Sequence, residues 1–167
     1  MFGFIAPHYH VQCVTELTIE RLAELRLRAL LLDVDCTLKR YSDRQPAEDV
    51  MAWLDTLRAA DIELCLVSNG MGHRIGQTAE LLDLPFVAKA LKPLPRGCKQ
   101  AVRQLGVLPK ETAMVGDQLF ADIMAGRFAG LTTIHVEPIH PEEEPWFTQL
   151  KRGPERWLLR RMDISGF

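Results

Sequence analysis

The sequence predicts an α/β fold, with a doubly wound, Rossmann-like parallel sheet. Four or five runs are apolar throughout, which is typical of strands that are covered on both faces of a parallel sheet. These runs span residues 29–32, 63–67, 86–91, 112–115 and 131–136. Helical patterns separate the runs, and this alternation of strand and helix favours a doubly wound domain.

The segments between the runs each carry a helical pattern. Over 46–60, Val50, Leu54 and Leu57 share one face, and Pro46 suits a first turn. Three more helices are predicted over 74–82, 95–105 and 119–129, the last two followed by Gly106 and Gly130. An extra helix over 18–28 leads into the first strand, and a helical tail over 146–162 is expected to break near Gly153–Pro154.

Length and composition predict one soluble domain over residues 1–167, with an N-terminal extension and helix (1–28) and a helical tail (142–167). The net charge of -2 gives no basic field for nucleic acid. Nothing in the sequence predicts a bilayer-spanning run or a signal peptide. Four scattered cysteines without a CxxC motif suit a reducing cytoplasm, which is the expected location.

Polar side chains concentrate where the predicted strands end. The set contains four acids, two small donors and one lysine: Asp33, Asp35, Ser68, Asn69, Lys92, Asp117 and Asp122. Ligands of open α/β sheets bind beyond the carboxyl ends of the strands. Carboxylates around one point suit Mg²⁺, and the neutral donors and the lysine suit phosphate oxygens. The sequence therefore predicts a magnesium and phosphate site at this edge.

These residues resemble the motifs of the haloacid dehalogenase (HAD) superfamily. In order, the motifs are DVDCTL at 33–38, SN at 68–69, KP at 92–93 and GDQLFAD at 116–122. The sequence AKALKP at 88–93 and Arg74 after the second motif are similar to the YqeG-type branch of subfamily IIIA phosphatases. The resemblance covers nearly the whole chain.

The resemblance implies a mechanism. Asp33 attacks phosphorus and forms an aspartyl-phosphate, and Asp35 protonates the leaving oxygen and then activates water. Mg²⁺ is held by Asp33, by the main-chain carbonyl of Asp35 and by Asp117, with Asp122 orienting its water. The phosphoryl oxygens are held by Ser68, Asn69 and Lys92. Thr37 is expected to form a hydrogen bond within the loop of the first motif.

The segments 38–45 and 70–85 are too short to hold a cap domain, so we expect an open site for a large substrate or a lipid headgroup. Relatives that act on phosphatidylglycerophosphate make this lipid the leading substrate hypothesis. Two alternatives stay open. One is a phosphatase for a soluble sugar phosphate or nucleotide, and the other is a non-catalytic phosphate-binding module.

The tail also allows two interpretations. Arg152, Arg156, Arg160 and Arg161 surround Trp157, Leu158, Leu159 and Met162. A basic amphipathic helix of this kind can make a peripheral contact with an anionic membrane. Alternatively, Trp157 and Leu158 pack on the core while the arginines face water. Elsewhere, Arg74 either reaches the site or lies on a solvated helix face, and Cys36 is either a reactive thiol or a small filler of a tight loop.

Overall fold

A seven-stranded parallel sheet organises the molecule. The computed structural model describes residues 4–162 and 164–166, the last two by their backbone alone. The strands are β1 Tyr9–Val11, β2 Ala29–Leu32, β3 Glu63–Val67, β4 Phe86–Val87, β5 Thr112–Gly116, β6 Thr132–Val136 and β7 Ser165–Gly166. Their order is β4-β3-β2-β5-β6-β1-β7, and every paired strand is parallel to its neighbour. The predicted fold class is confirmed.

The helices follow the strands in alternation. They are α1 Ile19–Glu24, α2 Glu48–Ala59, α3 Gly72–Leu82, α4 Arg96–Leu105, α5 Met124–Phe128 and α6 Trp146–Leu159. A π-helical turn, Leu119–Ile123, runs directly into α5, so the helix predicted over 119–129 begins with wider turns than expected. Gly106 ends α4 with a φ of 68°, as its predicted capping role requires.

Both faces of the sheet are buried, which explains why the strands are apolar throughout. Leu30 and Leu32 of β2 pack with α2 and α3 on one face, whereas Leu31 packs with α4 and α5 on the other. No described segment between β2 and α2, or between β3 and β4, forms a cap domain. The predicted core without a cap domain is therefore confirmed. Among the described residues, no helix is long and apolar enough to cross a bilayer.

Two predicted elements are corrected. The run 86–91 forms a strand only over Phe86–Val87, because Lys89 and Leu91 have φ angles of 48° and 58° that no strand accommodates. The expected break at Gly153–Pro154 is also wrong, since α6 continues through it. The residues on either side, Arg152 and Glu155, are buried and hydrogen-bonded, which holds this part of the chain in helical geometry.

No pattern in the sequence predicts the two edge strands β1 and β7. Tyr9–Val11 is too short and too mixed in character for its pattern to predict a strand. It becomes a strand because it pairs with the long strand β6 in parallel register, Tyr9 beside Ile134. β7 then pairs with β1, so the two ends of the chain together extend one edge of the sheet.

Candidate active site

The carboxyl ends of β2 and β5 place two acids side by side. These strands are neighbours in the sheet, and Asp33 and Asp117 follow their last residues. The amide of Asp33 donates to the carbonyl of Val115 at 2.9 Å, which extends the ladder by one step. Both side chains are buried, and oxygen atoms of Asp33, Asp117 and Asp122 lie within 4.8 Å of one another. The structure therefore brings together three of the four predicted acids.

Lys92 lies between two of these carboxylates. Its Nζ donates to Asp33 Oδ1 and to Asp122 Oδ1, both at 2.6 Å, and to the carbonyl of Val67 at 2.8 Å. The backbone of Lys92 is held in turn by the side chain of Asn69, which accepts from its amide at 2.7 Å and donates to its carbonyl at 2.9 Å. Asn69 therefore positions the backbone of Lys92, and through it the lysine side chain.

Two small residues shape the turns around this centre. The hydroxyl of Ser68 is buried and accepts from the amide of Gly70 at 3.0 Å, as expected of a residue that stabilises the turn after β3. Gly116 makes room for Asp122, because a Cβ at this position would overlap the Asp122 side chain. Asp122 also accepts from the amide of Gln118 at 3.0 Å, which fixes its second oxygen.

The fourth acid, Asp35, has a separate set of partners. Arg74 binds both of its carboxylate oxygens, at 3.0 and 2.9 Å, and Lys39 Nζ donates at 3.1 Å. The guanidinium of Arg74 also lies over the ring of Tyr41, 4.3 Å from its centre. Of the two interpretations of Arg74, the structure supports the one in which it reaches the site. Sequence reasoning missed Lys39, whose position depends on the loop geometry.

The loop of the first motif is closed by Thr37. Its hydroxyl lies 3.0 Å from Asp117 Oδ1 and 3.4 Å from Asp33 Oδ2, so it joins the two acids as well as stabilising its own loop. Cys36 is buried with a φ of 63°. Burial and the nearby Asp117 carboxylate raise the pKa of its thiol, so it stays protonated and acts as a filler.

A buried arginine from the tail helix completes the site, and sequence reasoning missed this role. Arg152 Nη2 donates to Asp117 Oδ2 at 2.5 Å and to Glu144 Oε2 at 2.7 Å. Nearby, Glu155 accepts from the amide of Phe120 at 2.9 Å. The prediction that Arg152 belongs to the basic surface of the tail is wrong, because its guanidinium pairs with these buried acids. Of the two side chains that the alternative interpretation packs on the core, Trp157 is exposed and Leu158 is half-buried.

Comparisons with known proteins identify the family. Residues 6–130, about three quarters of the chain, match the haloacid dehalogenase-like hydrolases. The chain belongs to this family. Its HAD-type relatives include the probable phosphatase YqeG of Bacillus subtilis (strain 168), which is 28% identical over 98% of this chain and 94% of its own length.

Two further proteins that are similar to this HAD chain are phosphatases by name. The chloroplastic/mitochondrial phosphatidylglycerophosphate phosphatase 1 of Arabidopsis thaliana is 25% identical over 95% of this chain but only 48% of its own length. The cobalt-bound deoxy-D-mannose-octulosonate 8-phosphate phosphatase of Haemophilus influenzae has the same fold, with a TM-score of 0.56, 19% identity and 77% coverage of each chain. The prediction of a HAD-type phosphatase is confirmed.

The electrostatics of this HAD site follow from crowding of buried charges. Burial raises the pKa of the Asp33 carboxyl well above its usual range, and the negative charge of Asp122 adds to this increase. The positive charge of Lys92 opposes it. Burial raises the pKa of Asp117 to about 7, although Arg152 favours its ionised form. Burial alone would lower the pKa of Lys92, but Asp122 and Asp33 together raise it, so the lysine stays charged.

The donor set fits a divalent cation. Asp33, Asp117 and Asp122 offer hard oxygen atoms within 4.8 Å of one another, and Lys92 and Arg152 contribute positive charge among them. A divalent cation would relieve the repulsion that raises the pKa of Asp33 and Asp117. Members of this family generally use such an ion, and the cluster of acids is in accord with that.

Proposed function

We propose that this chain hydrolyses phosphate monoesters with Mg²⁺, through an aspartyl-phosphate on Asp33. The observation that carries the proposal is the position of Asp33, which contacts Lys92 at 2.6 Å and lies beside Asp117 and Asp122. A carboxylate held next to a buried cation and two further acids is suited to receive a phosphoryl group.

In the first step, a carboxylate oxygen of Asp33 attacks phosphorus while the bond from phosphorus to the ester oxygen breaks. Asp35 gives its proton to that leaving oxygen. In the second step, Asp35 takes a proton from the attacking water, the bond between phosphorus and the Asp33 oxygen breaks, and inorganic phosphate leaves. Throughout, Lys92 offsets the negative charge of the phosphoryl oxygens, and Ser68 orients them.

The metal would be held by Asp33 and Asp117, with Asp122 nearby and the main-chain carbonyl of Asp35 as a further ligand. Mg²⁺ in this position supplies positive charge that offsets the repulsion between the nucleophile and the phosphate. Arg74 and Lys39 hold the Asp35 carboxylate in place between the two proton transfers.

For the substrate, we propose phosphatidylglycerophosphate. Similarity to a plant phosphatase for this lipid supports the choice. The absence of a cap over the described core also supports it, because an uncapped site admits a headgroup that stays in a lipid surface. Three exposed apolar side chains, Met71, Leu91 and Leu94, follow β3 and β4 beside Asn69 and Lys92. Exposed apolar side chains next to the site can contact the acyl chains of a lipid whose headgroup enters the site.

The test is release of phosphate from phosphatidylglycerophosphate in mixed micelles, with and without Mg²⁺, beside a panel of soluble esters. Metal-dependent release from the lipid that is lost in Asp33→Asn would support both reaction and substrate. Release only from a soluble ester would keep Asp33 as nucleophile and reject the lipid. Phosphate binding without turnover of any ester would favour a non-catalytic module.

A further inference from the structure

The tail helix α6 buries charged side chains and exposes large apolar ones, which is the reverse of an ordinary surface helix. Its buried residues are charged, Arg152 and Glu155, and they bind the turn after β5. Its exposed residues include four large apolar side chains: Trp146, Phe147, Leu150 and Trp157, with exposed fractions of 73, 57, 68 and 53%. We call these four side chains the outer apolar face. A helix in water normally buries such residues and exposes its charges.

Three of the four side chains share one side of the helix, and Phe147 lies about 100° round the helix from Trp146. Leu150 lies one turn after Trp146, and Trp157 lies two turns after Leu150, so the three align along the axis. The buried Arg152 projects from the opposite side. The outer apolar face is therefore about one helix diameter, roughly 10 Å, from the contact between Arg152 and Asp117.

Every exposed charge from Trp146 to Met162 is basic. The exposed charged residues there are Lys151, Arg156, Arg160 and Arg161, while the acid Glu155 is buried. The Arg161 guanidinium lies 4.1 Å from the centre of the Trp157 ring, so cation and aromatic ring occupy the same surface. The whole chain carries a net charge of -2, so this local basic surface would orient the protein with α6 towards an anionic partner.

We propose that the outer apolar face docks on an anionic phospholipid surface. Tryptophan and phenylalanine side chains bury in the interfacial region of a bilayer, and the surrounding lysine and arginines pair with anionic headgroups. A second copy of the chain fits less well, because a two-fold contact through this face would oppose like charges. The proposal goes beyond the proposed reaction and depends on it for no step.

Docking is tested with the full chain carrying Asp33→Asn, so that lipid turnover cannot change the surface. We expect co-sedimentation with phosphatidylcholine vesicles that contain phosphatidylglycerol, and little with phosphatidylcholine alone. Replacing Trp146, Leu150 and Trp157 by serine should weaken binding at least tenfold. Replacing Arg156 or Arg160 by glutamine should weaken it about fivefold each.

Matched controls come from surfaces away from α6. Leu108→Ser removes an exposed apolar side chain, and Arg103→Gln and Lys110→Gln remove exposed charges, so all three should leave vesicle binding unchanged. Equal binding to neutral vesicles, or equal loss in these controls, would overturn the proposal. Concentration-dependent dimers that the triple serine variant abolishes would instead assign the face to a second copy.

Fluorescence provides a second measurement that does not need the triple variant to fold. Trp53 is buried and donates to the carbonyl of Leu17, whereas Trp146 and Trp157 are exposed. With Trp53→Phe, anionic vesicles should shift the emission to shorter wavelength, and no shift would contradict docking. In a chain with intact Asp33, the rate on a soluble ester should stay within about twofold in Arg160→Gln. Loss of docking is thus distinguished from failure of the proposed catalysis.

Discussion

Arg152 and Asp117 join the end of the chain to the centre of the site. The guanidinium donates from Nη2 to Asp117 Oδ2 at 2.5 Å and from Nη1 to the main-chain carbonyl of Asp117 at 3.1 Å. Both residues are buried, and Glu144 binds the same guanidinium. The tail helix therefore fixes the orientation of an acid that we propose as a metal ligand.

Weakening this contact should weaken metal binding. For Arg152→Lys we expect half-maximal activity to need about tenfold more Mg²⁺, because a lysine cannot donate to Asp117 and Glu144 in the same forked geometry. Magnesium titration of activity and of thermal stability would measure the change. Arg156→Lys on the exposed side of α6 is the control. An unchanged Mg²⁺ requirement would show that Arg152 serves only folding.

Removing the nucleophile should remove turnover. For Asp33→Asn we expect activity to fall by at least about a thousandfold, since the amide cannot form the phosphoryl ester that we propose. Phosphate release would be measured beside circular dichroism, which should show an intact fold. The control is Asp55→Asn, an exposed acid of α2. Turnover that survives in Asp33→Asn would reject the nucleophile assignment.

Loss of the two hydrogen bonds from Arg74 to Asp35 should slow hydrolysis most for esters with poor leaving groups. Arg74→Ala removes the two hydrogen bonds from Arg74 to the carboxylate and leaves only the one from Lys39, so the Asp35 carboxyl is held less firmly and the proton reaches the leaving oxygen less efficiently. We expect about a tenfold loss of kcat on an alkyl phosphate and a smaller loss on p-nitrophenyl phosphate, whose leaving group needs no proton. Equal losses on both esters would indicate a general structural role for Arg74.

Stability without metal should depend on pH in the region below 7. Burial raises the pKa of Asp117 to about 7 and that of Glu155 to about 7, above their ordinary values of 3.8 and 4.5. A carboxyl whose pKa is raised in the folded state favours folding while protonated, and this contribution is lost as the pH rises towards 7.

The metal should reverse this trend, because Mg²⁺ binds the ionised carboxylate. We expect the increase in melting temperature caused by Mg²⁺ to be larger at about pH 8 than at about pH 6. Thermal unfolding with Mg²⁺ or with chelator would measure it. Asp117→Asn should reduce the difference, and an equal increase at both pH values in the unchanged chain would contradict the assignment of Asp117 as a ligand.

A methyl group at Gly116 should displace Asp122. The added Cβ would overlap the Asp122 side chain, which binds Lys92 at 2.6 Å. We expect Gly116→Ala to lose more than about tenfold in activity and about 1–3 kcal/mol in unfolding free energy. Gly72→Ala, which meets no atom within 4 Å at the start of α3, is the matched control. Kinetics and chemical denaturation would be compared for both.

Much of the fold follows from local patterns in the sequence. The apolar runs of β2, β3 and β5 predict buried parallel strands, because only strands covered on both faces stay apolar without alternation. Parallel strands place their carboxyl ends at one edge, so the acids after β2 and β5 were predicted to lie together, as they do. The run at 86–91 misled the prediction, since backbone conformation at Lys89 and Leu91 depends on the turn that they form.

What the sequence by itself determined is the fold class and the edge of the sheet at which the candidate acids and the lysine lie together. Those follow from periodicity and from residues adjacent to strand ends. Only the tertiary structure decided that Arg74 binds Asp35, that Arg152 binds Asp117 across 35 residues, and that α6 turns its aromatic side chains outward. Contacts between distant segments depend on how helices pack, and packing leaves no local pattern to read.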